Sequence, residues 1–99
     1  MIKRVVKLTF RPEAVDAFIS EVFEKSKVQI RAFPGCLHME LLRNIAAPNV
    51  LFTLSMWENE LALDTYRQSE LFKETWAKTK VLFLEKAEAW STEVLDHPE

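Results

Sequence analysis

Phe33-Pro34-Gly35-Cys36-Leu37-His38-Met39-Glu40-Leu41 holds the one glycine of a 99-residue chain. A helical periodicity runs into this stretch and a strand-like alternation leaves it. A lone glycine marks the one backbone point that calls for a left-handed or tightly turned conformation. Pro34 before it ends the helix, because the residue preceding a proline is pushed out of the helical region. The turn therefore sets how the first helix is laid back onto a sheet.

Upstream, residues 2–10 place Ile2, Arg4, Val6, Leu8 and Phe10 on one face and Lys3, Val5, Lys7 and Thr9 on the other. This period of two predicts a half-buried strand. Pro12 sits where a first helical turn tolerates its missing N–H. Val15, Phe18, Ile19, Val22, Phe23 and Ile30 then form an amphipathic stripe to about residue 32. Downstream, residues 36–45 predict a second strand, with Leu37, Met39, Leu41 and Ile45 opposing Cys36, His38, Glu40 and Asn44. Ala46-Ala47-Pro48-Asn49 predicts a hairpin connection, with Arg43, Asn44 and Asn49 read as turn chemistry. Residues 50–57 predict a third strand, Val50, Phe52, Leu54 and Met56 facing inward against Leu51, Thr53, Ser55 and Trp57. Helices are expected over 59–67 and 69–81, the second capped by Ser69. A fourth strand is expected over 86–95, and 96–99 is a polar tail.

Strand, helix, strand, strand, helix, strand predicts one α+β domain over 1–99, with its core in 2–95. Its form is a ferredoxin-like split β-α-β sandwich, a four-stranded antiparallel sheet with helices on one face. The other face carries Val5, Cys36, Leu42, Leu51 and Trp57 beside Lys3, Lys7, Thr53 and Ser55 in this reading. A half-apolar open face calls for a cover, and a second copy is the simplest one.

Composition narrows the function classes. Apolar residues are 48% of the chain, enough for a core and an oligomer surface besides. The formal charge of −2 leaves no basic footprint for nucleic acid. No apolar run approaches a membrane span. The single Cys36 excludes an internal disulfide framework, so a cytoplasmic, reducing location is expected. Metal, phosphate and nucleophile motifs are missing, and no cofactor is expected.

Phe33-Pro34-Gly35-Cys36-Leu37, Glu40-Leu41, Phe52…Met56-Trp57-Glu58-Asn59-Glu60 and Tyr66-Arg67-Gln68-Ser69…Phe72 resemble the antibiotic biosynthesis monooxygenase domain family over residues 2–95. The resemblance implies a dimeric α+β barrel. It also implies the family's range of activities, from cofactor-independent quinone-forming monooxygenases to haem-degrading enzymes. Where the haem-degrading members carry an Asn, a Trp and a ligand His, the resemblance places Val6, Tyr66 and Trp76. An indole cannot coordinate iron, so haem degradation by that route is not expected.

The expected function is a monooxygenase-like reaction on a small aromatic or quinol compound, by a homodimer that needs neither nucleic acid nor membrane. The alternative is a non-catalytic dimer, a stress-related protein that binds a small apolar ligand. Tyr66 is a candidate to orient a substrate oxygen, or else a helix residue packing its ring on the sheet. His38 is a candidate base beside Glu40, or else an interface histidine. Phe72 and Trp76 are candidate stacking walls, Trp76 also reading as core. Val6, Leu8, Met39, Phe52 and Leu54 are expected as the apolar floor. Trp57 and Trp90 read as braces, and Cys36 as a small filler rather than a reactive thiol.

Overall fold

The computed structural model describes residues 1–98, so Glu99 of the expected polar tail lies outside the described residues. Four strands, β1 (Ile2–Thr9), β2 (Cys36–Arg43), β3 (Val50–Trp57) and β4 (Glu88–Glu93), form one sheet in the order β2-β3-β1-β4. Every neighbouring pair is antiparallel. β1 and β2 therefore run parallel with β3 inserted between them, which is the split β-α-β arrangement expected from the element order.

The chain between β1 and β2 is helical but not uniform. A 3₁₀ turn at Pro12–Ala14 leads into the short α1 (Val15–Ala17), then a π-helical segment Phe18–Phe23, then α2 (Glu24–Arg31). The backbone N–H of Glu24 donates to the Ile19 carbonyl, five residues back. This wide turn was not signalled by the periodicity. It brings Phe18, Val22 and Phe23 together over the sheet, with Ser26 and Ile30 continuing the buried stripe. Ser26 is tolerated there because its hydroxyl donates to the Val22 carbonyl at 2.7 Å.

After β3 come α3 (Glu60–Arg67) and α4 (Glu70–Lys80). Asn59 Oδ1 accepts from the Ala62 N–H at 2.9 Å and Ser69 Oγ from the Phe72 N–H at 3.1 Å, so both helices start on side-chain caps. Asn44 serves the hairpin turn, whereas the Asn49 side chain ties the hairpin to the residue after β1. Asn44 Oδ1 accepts from the Ala46 N–H at 3.0 Å, while Asn49 Nδ2 donates to the Phe10 carbonyl at 3.0 Å. The core cluster of Leu8, Phe10, Val15, Phe18, Val22 and Leu51 lies between sheet and helices.

Two facing assignments are corrected. The expectation turned Val50, Phe52, Leu54 and Met56 inward. In the structure Leu51, Thr53, Ser55 and Trp57 face the helices, paired with Leu8, Val6, Arg4 and Ile2 of β1. Directly paired residues share a face, so Phe52, Leu54 and Met56 lie outward with Lys7, Val5 and Lys3. The more apolar set of β3 faces out because both faces of this strand carry apolar groups, and hydrophobicity alone cannot choose between them. The second correction is in β2. Cys36 pairs with Trp57 and His38 with Met56, so Leu37 is the extra residue of a bulge. The bulge returns Cys36 to the helix side, and Leu37, expected inward, is about half exposed.

Gly35 has φ of 87°, and a Cβ built on it would strike the Ala62 side chain of α3. The Gly35 carbonyl accepts from the Glu58 N–H at 2.9 Å. The helix-to-strand turn is thus seated directly on the start of the second helical layer. Replacing Gly35 by Ala combines a left-handed penalty of about 1–2 kcal/mol with overpacking of about 1–3 kcal/mol. A loss of about 2–5 kcal/mol is expected in urea unfolding. A loss under about 0.5 kcal/mol would show that the turn is free to relax.

Candidate functional site

A cavity of about 100 Å³ opens between the sheet and the helices. The sheet supplies its floor: Arg4, Val6 and Leu8 from β1, Met39 from β2, and Thr53, Ser55 and Trp57 from β3. The π-helical segment and α2 supply one wall, through Phe18, Val22, Phe23, Ser26 and Ile30. The opposite wall is Tyr66 of α3 with Phe72, Thr75, Trp76 and Thr79 of α4.

Aromatic rings bind these walls together. Trp57 and Tyr66 are stacked, centroids 4.8 Å apart at 26°. Phe33 meets Tyr66 edge-on at 5.3 Å, and Phe72 does so too, also at 5.3 Å. Phe72 lies parallel to Trp76 at 6.0 Å and 8°. The chain continues through Phe83, Phe10 and Phe18 to Phe23. Each such pair adds about 0.5–1.5 kcal/mol beyond area burial. Trp57 is 1% exposed, and its indole N–H donates to Ser55 Oγ at 3.0 Å, which fits the bracing role expected of it.

The polar groups of the cavity are few. Tyr66 enters the side-chain hydrogen bonds through its carbonyl, which accepts from Ser69 Oγ, and not through its phenol. Burial pushes that phenol up to about 12; the Cys36 thiol adds to the shift and the Arg4 guanidinium opposes it. At neutral pH Tyr66 is therefore a hydrogen-bond donor and not a base. Arg4 is partly buried, and its Nη1 donates to Ser91 Oγ at 2.9 Å. Burial, then the nearby Arg67, lowers the Arg4 pKa from its ordinary value. Burial raises the Cys36 thiol, which keeps it protonated and agrees with a packing role. Among the described residues no group of three or more His, Cys, Asp and Glu is placed to hold a metal ion.

Of the candidates read from sequence, Tyr66, Val6, Leu8, Met39, Phe72 and Trp76 all line the cavity. Phe52 and Leu54 do not, because the inverted facing of β3 puts them on the outer side of the sheet. His38 is separated from Tyr66 for the same geometric reason. It pairs with the outward Met56, and its Nε2 lies 3.5 Å from Glu40 Oε2 on the outer face. Trp90, about half exposed on β4, is outward too, opposite Val5. The alternation of β1 puts Arg4 on the inward face, among the residues that line the cavity. The signal was there: an arginine in an otherwise apolar inward row asks what it meets.

These features define a ferredoxin-like α+β domain with one aromatic-walled cavity. The sequence profile of the antibiotic biosynthesis monooxygenase family matches residues 1–78, and the chain belongs to that family. Among solved structures, one described as an antibiotic biosynthesis monooxygenase is 19% identical, covers 97% of this chain and 100% of its own, and superposes with a TM-score of 0.88. A conserved protein from Methanosarcina mazei is 23% identical over 92% of this chain and 89% of its own, with a TM-score of 0.87. A protein from Mycobacterium tuberculosis is 19% identical over 99% and 98%, with a TM-score of 0.88. At such identities the likeness establishes the fold. No curated protein matched the sequence.

Tyr66 is the single tyrosine, so its ionisation is directly observable by ultraviolet difference titration. The folded protein should titrate near pH 12 and the urea-unfolded chain near the ordinary value of 10. The folded state holds this proton more tightly, so the contribution is fully present below pH 10 and is lost as pH rises toward 12. Two units correspond to about 2–3 kcal/mol. A folded-state midpoint near 10 would show a solvated phenol and remove Tyr66 from the buried wall.

Proposed function

We propose that this protein is a cofactor-independent monooxygenase-type enzyme for a small aromatic or quinol compound, working as a homodimer. The observation that carries the reading is the cavity itself, with stacked rings on its walls and an O–H and a guanidinium as its strongest polar groups. Such a site suits a flat, electron-rich substrate that supplies its own electrons. In the balanced reaction a phenol and one O₂ give a quinone and one water. One oxygen atom enters the ring, the other leaves as water, and the phenol provides all the electrons. The walls hold the ring and exclude bulk water, while Tyr66 donates to the substrate oxygen. Family membership supports the reaction class.

Oxygen uptake with a panel of phenols and hydroquinones tests this. Turnover should produce quinone, and Tyr66→Phe should lower the rate about 10- to 100-fold if it removes one hydrogen bond to the transition state. An unchanged rate in the variant would discard the role of Tyr66. One observation favours the non-catalytic alternative: the cavity lining contains no group that acts as a base at neutral pH. Native mass spectrometry of freshly purified protein distinguishes the two. A retained aromatic ligand that survives aeration unchanged supports binding without turnover.

The homodimer reading rests on the outer sheet face. Glu40, Leu54, Val5 and Trp90 form one row across it, and Leu42, Phe52, Lys7 and Glu88 another. Lys7 and Glu88 are paired at 3.7 Å, so part of the charge is already neutralised. Leu54 sits at the centre of this face, between Glu40 and Val5. Sedimentation equilibrium at micromolar concentration should show a dimer. Leu54→Glu, which places a second carboxylate beside Glu40, should shift it to monomer. A monomeric parent protein would end this reading.

A further inference from the structure

Arg4 is the one charged side chain among the residues that line the cavity, and Asp, Glu and His are missing from that lining. The six ion pairs among the described residues leave Arg4 out. Its direct cross-strand partners are neutral, Ser55 on β3 and Ser91 on β4; Glu93, opposite Ile2 on the same face of β4, lies one pair further along and makes no ion pair with it. From α3 it is faced by the neutral Tyr66 phenol and by a like charge on Arg67. Arg67 is itself held by Asp64, Nη2 to Oδ1 at 3.0 Å. A guanidinium carries five N–H donors and keeps its charge in proteins, and the structure gives Arg4 one side-chain acceptor. An apolar cavity with one unneutralised cation and a buried O–H donor beside it is built for a negative charge on oxygen.

We propose that the cavity takes its aromatic ligand as an oxyanion, the phenolate oxygen paired with the Arg4 guanidinium and accepting a hydrogen bond from Tyr66. Arg4 thereby replaces a catalytic base. The O–H bond of the bound phenol breaks heterolytically, its electron pair stays on oxygen, and the proton passes to bulk water. This deepens the reading of the cavity as a phenol or quinol site and rests on it. It also accounts for the lack of a proton-accepting side chain such as Asp, Glu or His in the lining. Two effects oppose each other here. Burial in an apolar cavity raises the pKa of a phenol, whereas an adjacent arginine lowers an acid's pKa by about one to three units. The sign of the shift on binding therefore reports which effect governs.

The probe is 4-nitrophenol, whose phenolate is coloured, titrated with pH in the presence of the dimer or monomer as purified. Bound to the parent protein it should ionise below its free value, by less than the roughly one to three units an arginine gives alone, because burial opposes it. Arg4→Gln should move that midpoint to or above the free value. Arg4→Lys, which keeps the charge, should retain most of the downward shift and guards against misreading a folding defect. Tyr66→Phe should give a smaller upward move. A bound probe that ionises at or above its free value in the parent protein overturns the proposal. So does an Arg4→Gln variant with the parent's shift, or a probe that does not bind. Oxygen uptake separates this from the enzymatic reading. Turnover with a raised probe pKa removes the oxyanion and leaves the monooxygenase. A lowered probe pKa without turnover keeps the oxyanion and favours a binding protein.

Discussion

The stacking of Tyr66 on Trp57 ties the second helical layer to the sheet, and the site depends on it. Trp57 closes β3, and its indole N–H donates to the Ser55 hydroxyl, which fixes the ring. Tyr66, in the last turn of α3, stacks on that ring at 4.8 Å. Phe33, just before the Gly35 turn, meets both rings, so the same cluster also anchors the end of the first helical run. Loss of any one ring would loosen the turn, the strand end and α3 together. The cavity survives inside this core because the rings brace one another around it instead of filling it.

That arrangement gives the protein a specific chemical character. The walls are aromatic and the floor carries small hydroxyls, so the interior is neither a dry core nor a wet cleft. Thr79 and Ser26 turn their hydroxyls onto helix carbonyls, at 2.7 Å each. Ser55 is occupied by the Trp57 indole. Few polar groups therefore remain to meet a ligand, and the strongest are the Arg4 guanidinium and the Tyr66 phenol. Both are donors. A cavity whose strongest polar groups are donors discriminates by charge and acceptor position more than by shape.

The two faces of the sheet divide the molecule's work. The inner face carries the cavity, while the outer face mixes Val5, Phe52, Leu54 and Trp90 with Lys3, Lys7, His38 and Glu40. The His38–Glu40 pair belongs to that outer face, at a distance that makes it an ion pair when the imidazole is protonated. Its chemistry is thus removed from the cavity by the thickness of the sheet.

The sequence by itself determined the element order, the split β-α-β topology and the seat of the turn. These follow from periodicity, from one glycine with positive φ and from capping residues, all of which act over a few neighbouring positions. It also put Val6, Leu8, Met39, Tyr66, Phe72 and Trp76 on one side, since β1 and the helices have one clearly apolar face each. Only the tertiary structure decided which way β3 faces, because alternate residues there are apolar on both sides and register with β1 breaks the tie. The bulge at Leu37, which reverses Cys36 relative to His38, is set by cross-strand pairing and leaves no local trace. The placing of Arg4 beside Tyr66 likewise arises from contact between elements distant in sequence, where a one-dimensional pattern carries no information about distance.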